Sequence, residues 1–270
     1  MDINQKITEE LGVKKWQVDA AVKLIDEGNT IPFIARYRKE AHGSLDDEQL
    51  RNLSERLAYL RNLEEKKQQV LASIEEQGKL TPELRAEIEA AETMVLVDDL
   101  YRPYRPKRKT RATVAKDKGL EGLANIISLQ MTSTPIRTEA EKYVSTEKGV
   151  ETVDDAISGA MDIIAENISD TADYRTKIRD LTTKKGFINT TAKDPDAESV
   201  YEMYYNFSAP ISKMTGYRTL AINRGEKEKF ITVKIEAPVD EIISYLRKKI
   251  IARDNSDTSE ILDNVIDDSY

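Results

Sequence analysis

Residues 101–118 carry side chains of the types that contact phosphate. The segment reads YRPYRPKRKTRATVAKDK and contains one acidic residue, Asp117. Its basic residues are Arg102, Arg105, Lys107, Arg108, Lys109, Arg111, Lys116 and Lys118. The whole chain, by contrast, has a formal net charge of −8. Cations concentrated in one segment of an acidic chain suit a polyanion, and the interleaved tyrosines make nucleic acid the first candidate. The alternative is a basic loop that clamps acidic helices of the same protein.

The tandem Tyr-Arg-Pro repeat at 101–106 has a geometry of its own. Residues before proline avoid the α region, so the repeat is predicted to run extended, near polyproline II. With three residues per turn, the tyrosines share one face and the arginines another. We expect the tyrosines to pack on the preceding helices, and the cations beyond Pro106 to contact phosphate. Thr110 or Thr113 is then expected to begin a helix whose N-terminal amides help an anion to dock.

A second, smaller basic cluster lies in 30–40, which reads TIPFIARYRKE. Its basic residues, added to the expected phosphate-contacting surface, are Arg36, Arg38 and Lys39. Pro32 suits the first turn of a helix. The predicted interior positions of that helix are Phe33, Ile34 and Tyr37.

Residues 3–27 read as two short helices around a turn at Gly12, with a spacing like that of a helix-turn-helix. The charges of the second helix cancel. They are Lys14, Lys15 and Lys23 against Asp19, Asp26 and Glu27. A recognition helix normally presents a positive excess to phosphates, so a packing unit is favoured over a DNA reader.

The sequence offers no catalytic constellation. There is no cysteine, and the single histidine, His42, lies in a Gly-containing turn where a turn or capping role is expected. Adjacent acidic pairs such as Asp98-Asp99 point about 100° apart on a helix and do not converge on a metal. No Gly-rich phosphate loop occurs. We therefore expect no enzyme, no cofactor and no metal, with a carboxylate-bound Mg²⁺ nuclease as a remaining hypothesis.

The periodicity predicts a mainly α fold: a multi-helix array with long helical hairpins. One long helix is predicted at 46–77, and further helices are expected at 120–129 and from 194–195 through Tyr204. Another helix is expected from Thr152, continuing past a polar break to a stop at Gly186. One strand is predicted, at 230–236. Its partner is either 186–190 or a segment outside the chain.

Two domains are predicted. Residues 1–196 form a helical domain containing the helix-turn-helix-like unit and the basic loop 101–118. Residues 197–270 form a helical segment with one strand that leads into domains absent from the chain, because the apolar stripe of 256–270 ends without a stop signal. No signal peptide or membrane span is evident, so a cytoplasmic protein with no membrane contact is expected.

Three runs of the sequence are similar to a known family. They are TIPFIARYRKEAHGSLDDEQL (30–50), LAYLRNLEEKKQQVLASIEEQGKLTPEL (57–84) and DDLYRPYRPKRKTRATVAKDKGLEGLA (98–124). These runs, with YRTLAINRGEKE at 217–228, closely resemble the N-terminal region of the bacterial transcription accessory protein Tex. His42 departs from the threonine expected in the family's motif.

The resemblance implies a role in transcription with RNA or DNA contact. Members of that family are longer, with a ribonuclease-H-like domain thought to be inactive, helix-hairpin-helix segments, and a C-terminal S1 domain credited with much of the nucleic-acid binding. We therefore expect a non-enzymatic, N-terminal scaffold with an auxiliary, sequence-independent phosphate-contacting surface. The alternative is a protein-interaction or architectural module that docks on RNA polymerase, on other transcription machinery or on its own missing domains. The preference between RNA and DNA stays open.

Overall fold

The computed structural model describes residues 2–252 and 257–270, and within them the chain is mainly α-helical, as predicted. The chain divides into two compact units, Met1–Tyr104 and Arg105–Tyr270. The sequence predicts a different division, after residue 196. Strands before and after that position pair in one sheet of the second unit.

The first unit is built around one long helix. Its described helices are α1 (Ile3–Leu11), α2 (Lys15–Asp26), α3 (Ile31–Tyr37), α4 (Asp47–Glu76), α5 (Pro82–Ala90) and α6 (Met94–Tyr101). The 3₁₀ turn Arg102–Tyr104 follows α6. All five of the other helices pack against α4. The two helices predicted in 3–27 are present, with Gly12 in the left-handed conformation between them. Their likeness to a helix-turn-helix stays a prediction.

The sequence of α4 accounts for its length. At its start, the Asp46 carboxylate accepts a hydrogen bond from the Gln49 amide at 2.7 Å, and the Gln49 side chain accepts one from the Asp46 amide at 3.1 Å. This capping box satisfies amides that the helix itself leaves unpaired. Its buried apolar residues recur at helical spacing: Leu50, Leu53, Leu57, Leu60, Leu63, Val70, Leu71 and Ile74. The predicted helix is confirmed to within one residue at each end.

An ion pair between α1 and α4 gives the first unit a dependence on pH. Arg56 donates to both carboxylate oxygens of Glu10, at 2.6 and 2.8 Å. These hydrogen bonds hold the pKa of Glu10 below its ordinary value of 4.5, although burial opposes the shift. A pKa lowered by folding means that the pair stabilises the fold above about pH 4.5, and that this stability is lost as the pH falls through the lowered pKa.

We expect Glu10→Gln to lower the free energy of unfolding by about 0.5 kcal/mol near neutral pH. This difference from wild type should shrink as the pH falls below 4.5 and through the lowered pKa, because Glu10 itself then becomes protonated. Urea unfolding at several pH values measures it. Glu9→Gln is the control, because the Glu9 carboxylate accepts a hydrogen bond from the neutral Gln5 amide. A difference for Glu10→Gln that is the same at both pH extremes would contradict the assignment.

The second unit combines helices with a small sheet. Its described helices are α7 (Arg111–Asp117), α8 (Glu121–Leu129), α9 (Ile136–Glu141), α10 (Val153–Asp170), α11 (Ala172–Lys185), α12 (Gly216–Lys227), α13 (Val239–Ile250) and α14 (Asp257–Ser269). The strands are β1 (Phe187–Ala192), β2 (Asn206–Pro210) and β3 (Ile231–Glu236). Short 3₁₀ turns are Thr146–Lys148, Glu202–Tyr204 and Ile211–Lys213. Residue 256, where the last predicted helical stripe begins, lies outside the described residues.

Helix α10 is the centre of the second unit. The Thr152 side chain caps it, accepting from the Asp155 amide at 3.0 Å, at the position where the sequence predicts the start. Its buried face carries Ala156, Ala160, Ile163, Ile164 and Ile168. Helices α7, α8, α9, α11 and α14 pack against α10. Burial of such side chains stabilises the fold by about 1.5–3 kcal/mol for each of the larger ones.

The sheet has three strands where the sequence predicts one. Strand β1 lies between β2 and β3 and is antiparallel to both, so the partner of the predicted strand is within the chain. That partner overlaps the weaker candidate, 186–190. Strand β2 was missed because NFSAP is short and ends in Pro210, which lacks an amide hydrogen. An edge strand tolerates such a proline.

The helix predicted from 194–195 through Tyr204 is wrong. This stretch forms turns and the 3₁₀ segment Glu202–Tyr204. Tertiary bonds override the helical pattern: the Tyr205 hydroxyl donates to the Ala197 carbonyl at 2.6 Å and lies 2.9 Å from the Ser199 hydroxyl. Tyr204 is buried in a small core with Ile222 and Ile231, which fixes the chain in this compact conformation.

Candidate nucleic-acid interface

The two tyrosines of the Tyr-Arg-Pro repeat are partly buried against the apolar core of the first unit, to which α4 contributes. The Tyr101 hydroxyl lies 2.9 Å from the Ser73 hydroxyl, and the Gln77 side-chain amide donates to the Tyr104 carbonyl at 3.0 Å. The predicted packing is therefore confirmed, but the predicted extended backbone is wrong. Arg102 adopts the right-handed helical conformation (φ −53°, ψ −42°) and begins the 3₁₀ turn. Anchoring to α4 outweighs the modest bias that a following proline imposes.

Lys107 is held by the acidic side of α10. Its ammonium group lies 3.0 Å from a Glu166 carboxylate oxygen and also bonds to the Asp170 carboxylate. Its side chain is only 23% exposed, and that of Asp170 is 7% exposed. Thr110 adds a hydrogen bond, donating from its hydroxyl to Glu166 at 2.8 Å. Because Lys107 has two largely buried carboxylate partners, it stabilises the fold of the second unit and is not available to an external anion.

Arg111 is also paired within the second unit. Its guanidinium lies 3.3 Å from Asp162 of α10 and 2.9 Å from Asp268 of α14. Because Asp162, Glu166 and Asp170 are spaced four residues apart, they share one face of α10, which we name the acidic face. The clamp of basic residues on acidic helices, which the sequence left as an alternative, is present for Lys107 and Arg111.

Arg108 and Lys109 differ from their neighbours. Both side chains are exposed, and within the described residues neither has a carboxylate at ion-pair distance. Arg102 and Arg105 are exposed as well, and each takes part in an interaction. The adjacent cations Arg108 and Lys109 are therefore the part of the basic segment most available to an external anion.

The helix predicted to begin at Thr110 or Thr113 is α7, and Thr110 is its N-cap. The Thr110 hydroxyl accepts from the Thr113 amide at 3.1 Å, and the Thr113 hydroxyl accepts from the Thr110 amide at 2.7 Å. The position of the helix is thus confirmed. Both of these amides already have protein partners, so they add nothing for an incoming anion.

The second basic cluster lies at the end of α3 in the first unit. All three of its side chains, Arg36, Arg38 and Lys39, are exposed. The guanidinium carbon of Arg38 lies 5.4 Å from the centroid of the Phe33 ring, in cation–π geometry. In the described part of the chain, Arg36 and Lys39 form no ion pair. These cations are therefore open to solvent.

Two aromatic residues of α3 that were predicted as interior positions are on the surface. Phe33 is 37% exposed and Tyr37 is 63% exposed. The buried side of the helix is instead Ile34, with Ile31 and Ala35 partly buried beside it. The sequence could have predicted this exposure. Ile31, Ile34 and Ala35 form an apolar stripe at helical spacing, and Phe33 and Tyr37 lie outside that stripe.

His42 has the turn role expected of it. It is fully buried, its Nδ1 accepts from the Leu45 amide at 3.1 Å, and its Nε2 lies 3.2 Å from the Ile34 carbonyl. Because Nδ1 accepts, Nε2 carries the proton and donates. Elsewhere among the described residues, no three His, Asp or Glu side chains are grouped so as to hold a metal ion. Nor does any helix in those ranges have the length and apolarity needed to cross a membrane.

Comparison with known proteins matches both ends of the chain to one family. A family model for the Tex-like protein N-terminal domain matches residues 1–75, and a model described as Tex central region-like matches residues 131–263. Over 99% of the chain, the sequence is 46% identical to uncharacterized protein YdcI of Bacillus subtilis. Over 94% of the chain, it is 39% identical to transcriptional accessory protein Tex of Neisseria gonorrhoeae. It is 30% identical to human S1 RNA-binding domain-containing protein 1 over 87%.

These relatives are much longer than the chain. The chain spans 38% of the Bacillus protein, 34% of the Neisseria protein and 24% of the human protein.

Proposed function

Because this chain is a Tex-like N-terminal region, we propose that it is a helical scaffold of a transcription accessory protein that contacts nucleic acid through a basic surface. This surface is centred on Arg108 and Lys109 of the second unit; Arg105 precedes them in that unit, and Arg102 belongs to the first unit. Lys107 and Arg111 fix the segment to the second unit. The observation that carries the proposal is the pair of adjacent, exposed cations without a carboxylate partner among the described residues.

Two relatives support a partner of this class by their names. One is a transcriptional accessory protein, and another carries the name of an S1 RNA-binding domain. Guanidinium and ammonium groups that extend from a surface segment bind phosphate oxygens without reading base edges. We therefore propose RNA or DNA as the partner, with the larger share of binding in parts of the relatives outside this chain. The corresponding compartment is the cytoplasm, where bacterial transcription takes place.

The test is binding of labelled single-stranded RNA and duplex DNA at several salt concentrations, followed by fluorescence anisotropy. Arg108→Ala/Lys109→Ala is expected to weaken binding about tenfold at low salt, and to make the salt dependence shallower by about 0.7 per lost contact on single strands. Lys248→Ala/Lys249→Ala is the matched control, since it removes two exposed lysines from the end of α13. Equal affinities for wild type and Arg108→Ala/Lys109→Ala would refute the surface.

One observation favours the alternative function, an architectural or protein-interaction module. Lys107 and Arg111 are already paired with the acidic face of α10 and with Asp268. Under this alternative the wild-type chain binds neither RNA nor DNA even at low salt. Lys107→Met lowers stability under either function, but under the alternative the basic segment has no role beyond stabilising the fold.

We also propose that the chain is not an enzyme. This proposal rests on the single histidine being fully used as a turn residue. Incubation of labelled RNA and DNA with the chain and Mg²⁺ should leave both intact. Cleavage that requires the metal would overturn this proposal.

A further inference from the structure

The outward face of α3 presents two aromatic rings to solvent. Phe33 and Tyr37 are four residues apart, so they lie one turn from each other on the same face. Their ring centroids are 5.3 Å apart and their planes are inclined by 46°. Ile34, about 100° around the helix from Phe33, is fully buried. The helix therefore keeps an apolar face for the core and a separate aromatic face for solvent.

Basic residues lie beside this aromatic face in the sequence. Residues 30–40 contain three basic side chains and one acidic one, Glu40 at the end. The Arg38 guanidinium lies over the Phe33 ring. Arg36 and Lys39 form no ion pair among the described residues. Aromatic rings beside unpaired cations suit a ligand chain that alternates flat, stackable groups with anionic groups.

The helix that carries these rings is held in place before any ligand arrives. The buried imidazole of His42 donates to the carbonyl of Ile34 in the middle of α3. The Gln17 side chain of α2 in turn donates to the Gly43 carbonyl at 3.0 Å, which ties the His42–Gly43 turn to α2. A rigid aromatic surface loses little conformational entropy when it binds, which favours affinity.

We propose that the aromatic face of α3, formed by Phe33 and Tyr37, is a stacking platform for unpaired bases of a single nucleic-acid strand. Arg36 and Lys39 contact the phosphates beside the stacked bases. The inference rests on the proposed function and deepens it by naming the form of nucleic acid. A duplex keeps the faces of its bases inside the helical stack, so exposed rings on a protein helix gain contacts only from a single strand.

The test compares Tyr37→Leu with wild type in the full 270-residue chain, using labelled oligouridine and a duplex of equal length. Tyr37→Leu keeps an apolar side chain but removes the ring. It should weaken oligouridine binding about tenfold, with duplex affinity and the salt dependence unchanged. Tyr37→Phe should bind like wild type. Tyr217→Leu is the matched control, because Tyr217 is a similarly exposed tyrosine, at 66%, on α12 of the second unit.

Tyr37→Trp gives a positive signal for the same contact. Its added indole fluorescence should be quenched by oligouridine but not by the duplex, after subtraction of the Trp16 signal measured in wild type.

The other outcomes show whether the platform fails alone or together with the basic surface. Wild-type affinity in Tyr37→Leu, beside a loss in Arg108→Ala/Lys109→Ala, would overturn the platform and leave the phosphate contacts standing. Equal losses on oligouridine and duplex would overturn it too, since stacking is specific to single strands. If wild type binds neither probe, both the platform and the proposed function fail.

Discussion

Lys67→Ala is expected to lower the free energy of unfolding of the first unit by about 3 kcal/mol, which is the range for removing one partner of a buried ion pair. Lys67 is 1% exposed, in the apolar seam of α4. Its ammonium donates to the Glu64 carboxylate at 2.9 Å and to the Glu89 carbonyl at 2.8 Å. Burial is the largest single influence and raises the pKa of Glu64, but the hydrogen bond and the charge of Lys67, together with weaker favourable interactions, make the net shift downward. The substitution removes both bonds and the packing of the aliphatic stem.

Urea unfolding followed by Trp16 fluorescence measures this loss, because the single tryptophan lies in α2 of the first unit. Lys67→Met separates the two causes: it keeps an aliphatic chain in the seam and removes only the charge and its bonds. We expect it to cost about 1–2 kcal/mol, less than the alanine variant. A loss of less than about 1 kcal/mol for Lys67→Ala would show that the buried charge contributes little.

Gly186→Ala is expected to lower the free energy of unfolding of the second unit by about 2–3 kcal/mol, as overpacking does in a filled interior. Gly186 connects α11 to β1. A Cβ atom there would lie 2.5 Å from the Thr182 carbonyl oxygen and 3.0 Å from that of Glu236. Both obstacles are backbone atoms, so relief requires a shift of the helix end or of β3. The φ of −75° is ordinary, and the requirement is therefore one of space.

Gly216→Ala is the matched control for this prediction. No heavy atom lies within 4 Å of the Cβ that it would add, at the first residue of α12. Alanine there should leave stability unchanged or raise it by up to about 1 kcal/mol, because it reduces the freedom of the unfolded chain. Thermal unfolding followed by circular dichroism compares the two variants. Equal melting temperatures for both would contradict the crowding inferred at Gly186.

Local sequence signals predicted the helices of this chain well. The start of α4 follows from the capping box of Asp46 and Gln49, and the start of α5 follows from Thr81 before Pro82. These signals depend only on residues within one or two turns. Strand β2 was missed for the opposite reason, because its place is decided by pairing with β1, and the register Ile188↔Ala209 links residues distant in sequence.

The candidate interface was predicted as a segment but not as a set of available side chains. The charge contrast of 101–118 is visible in the sequence. The sequence does not say which of its cations are paired, because the acidic residues of α10 that pair with them lie up to 63 residues away along the chain. Exposure of Phe33 and Tyr37 likewise depended on which side of a short helix meets the core.

The sequence by itself determined the Tex-like family resemblance, the mainly helical fold, the caps and the place of the basic segment, because composition and short-range spacing control these properties. The tertiary structure decided three others: Lys107 and Arg111 are partners of an acidic helix, Arg108 and Lys109 are left exposed, and Gly186 is required for close packing. Each of these depends on atoms brought together by folding from distant parts of the chain, and such distances are not encoded in local pattern.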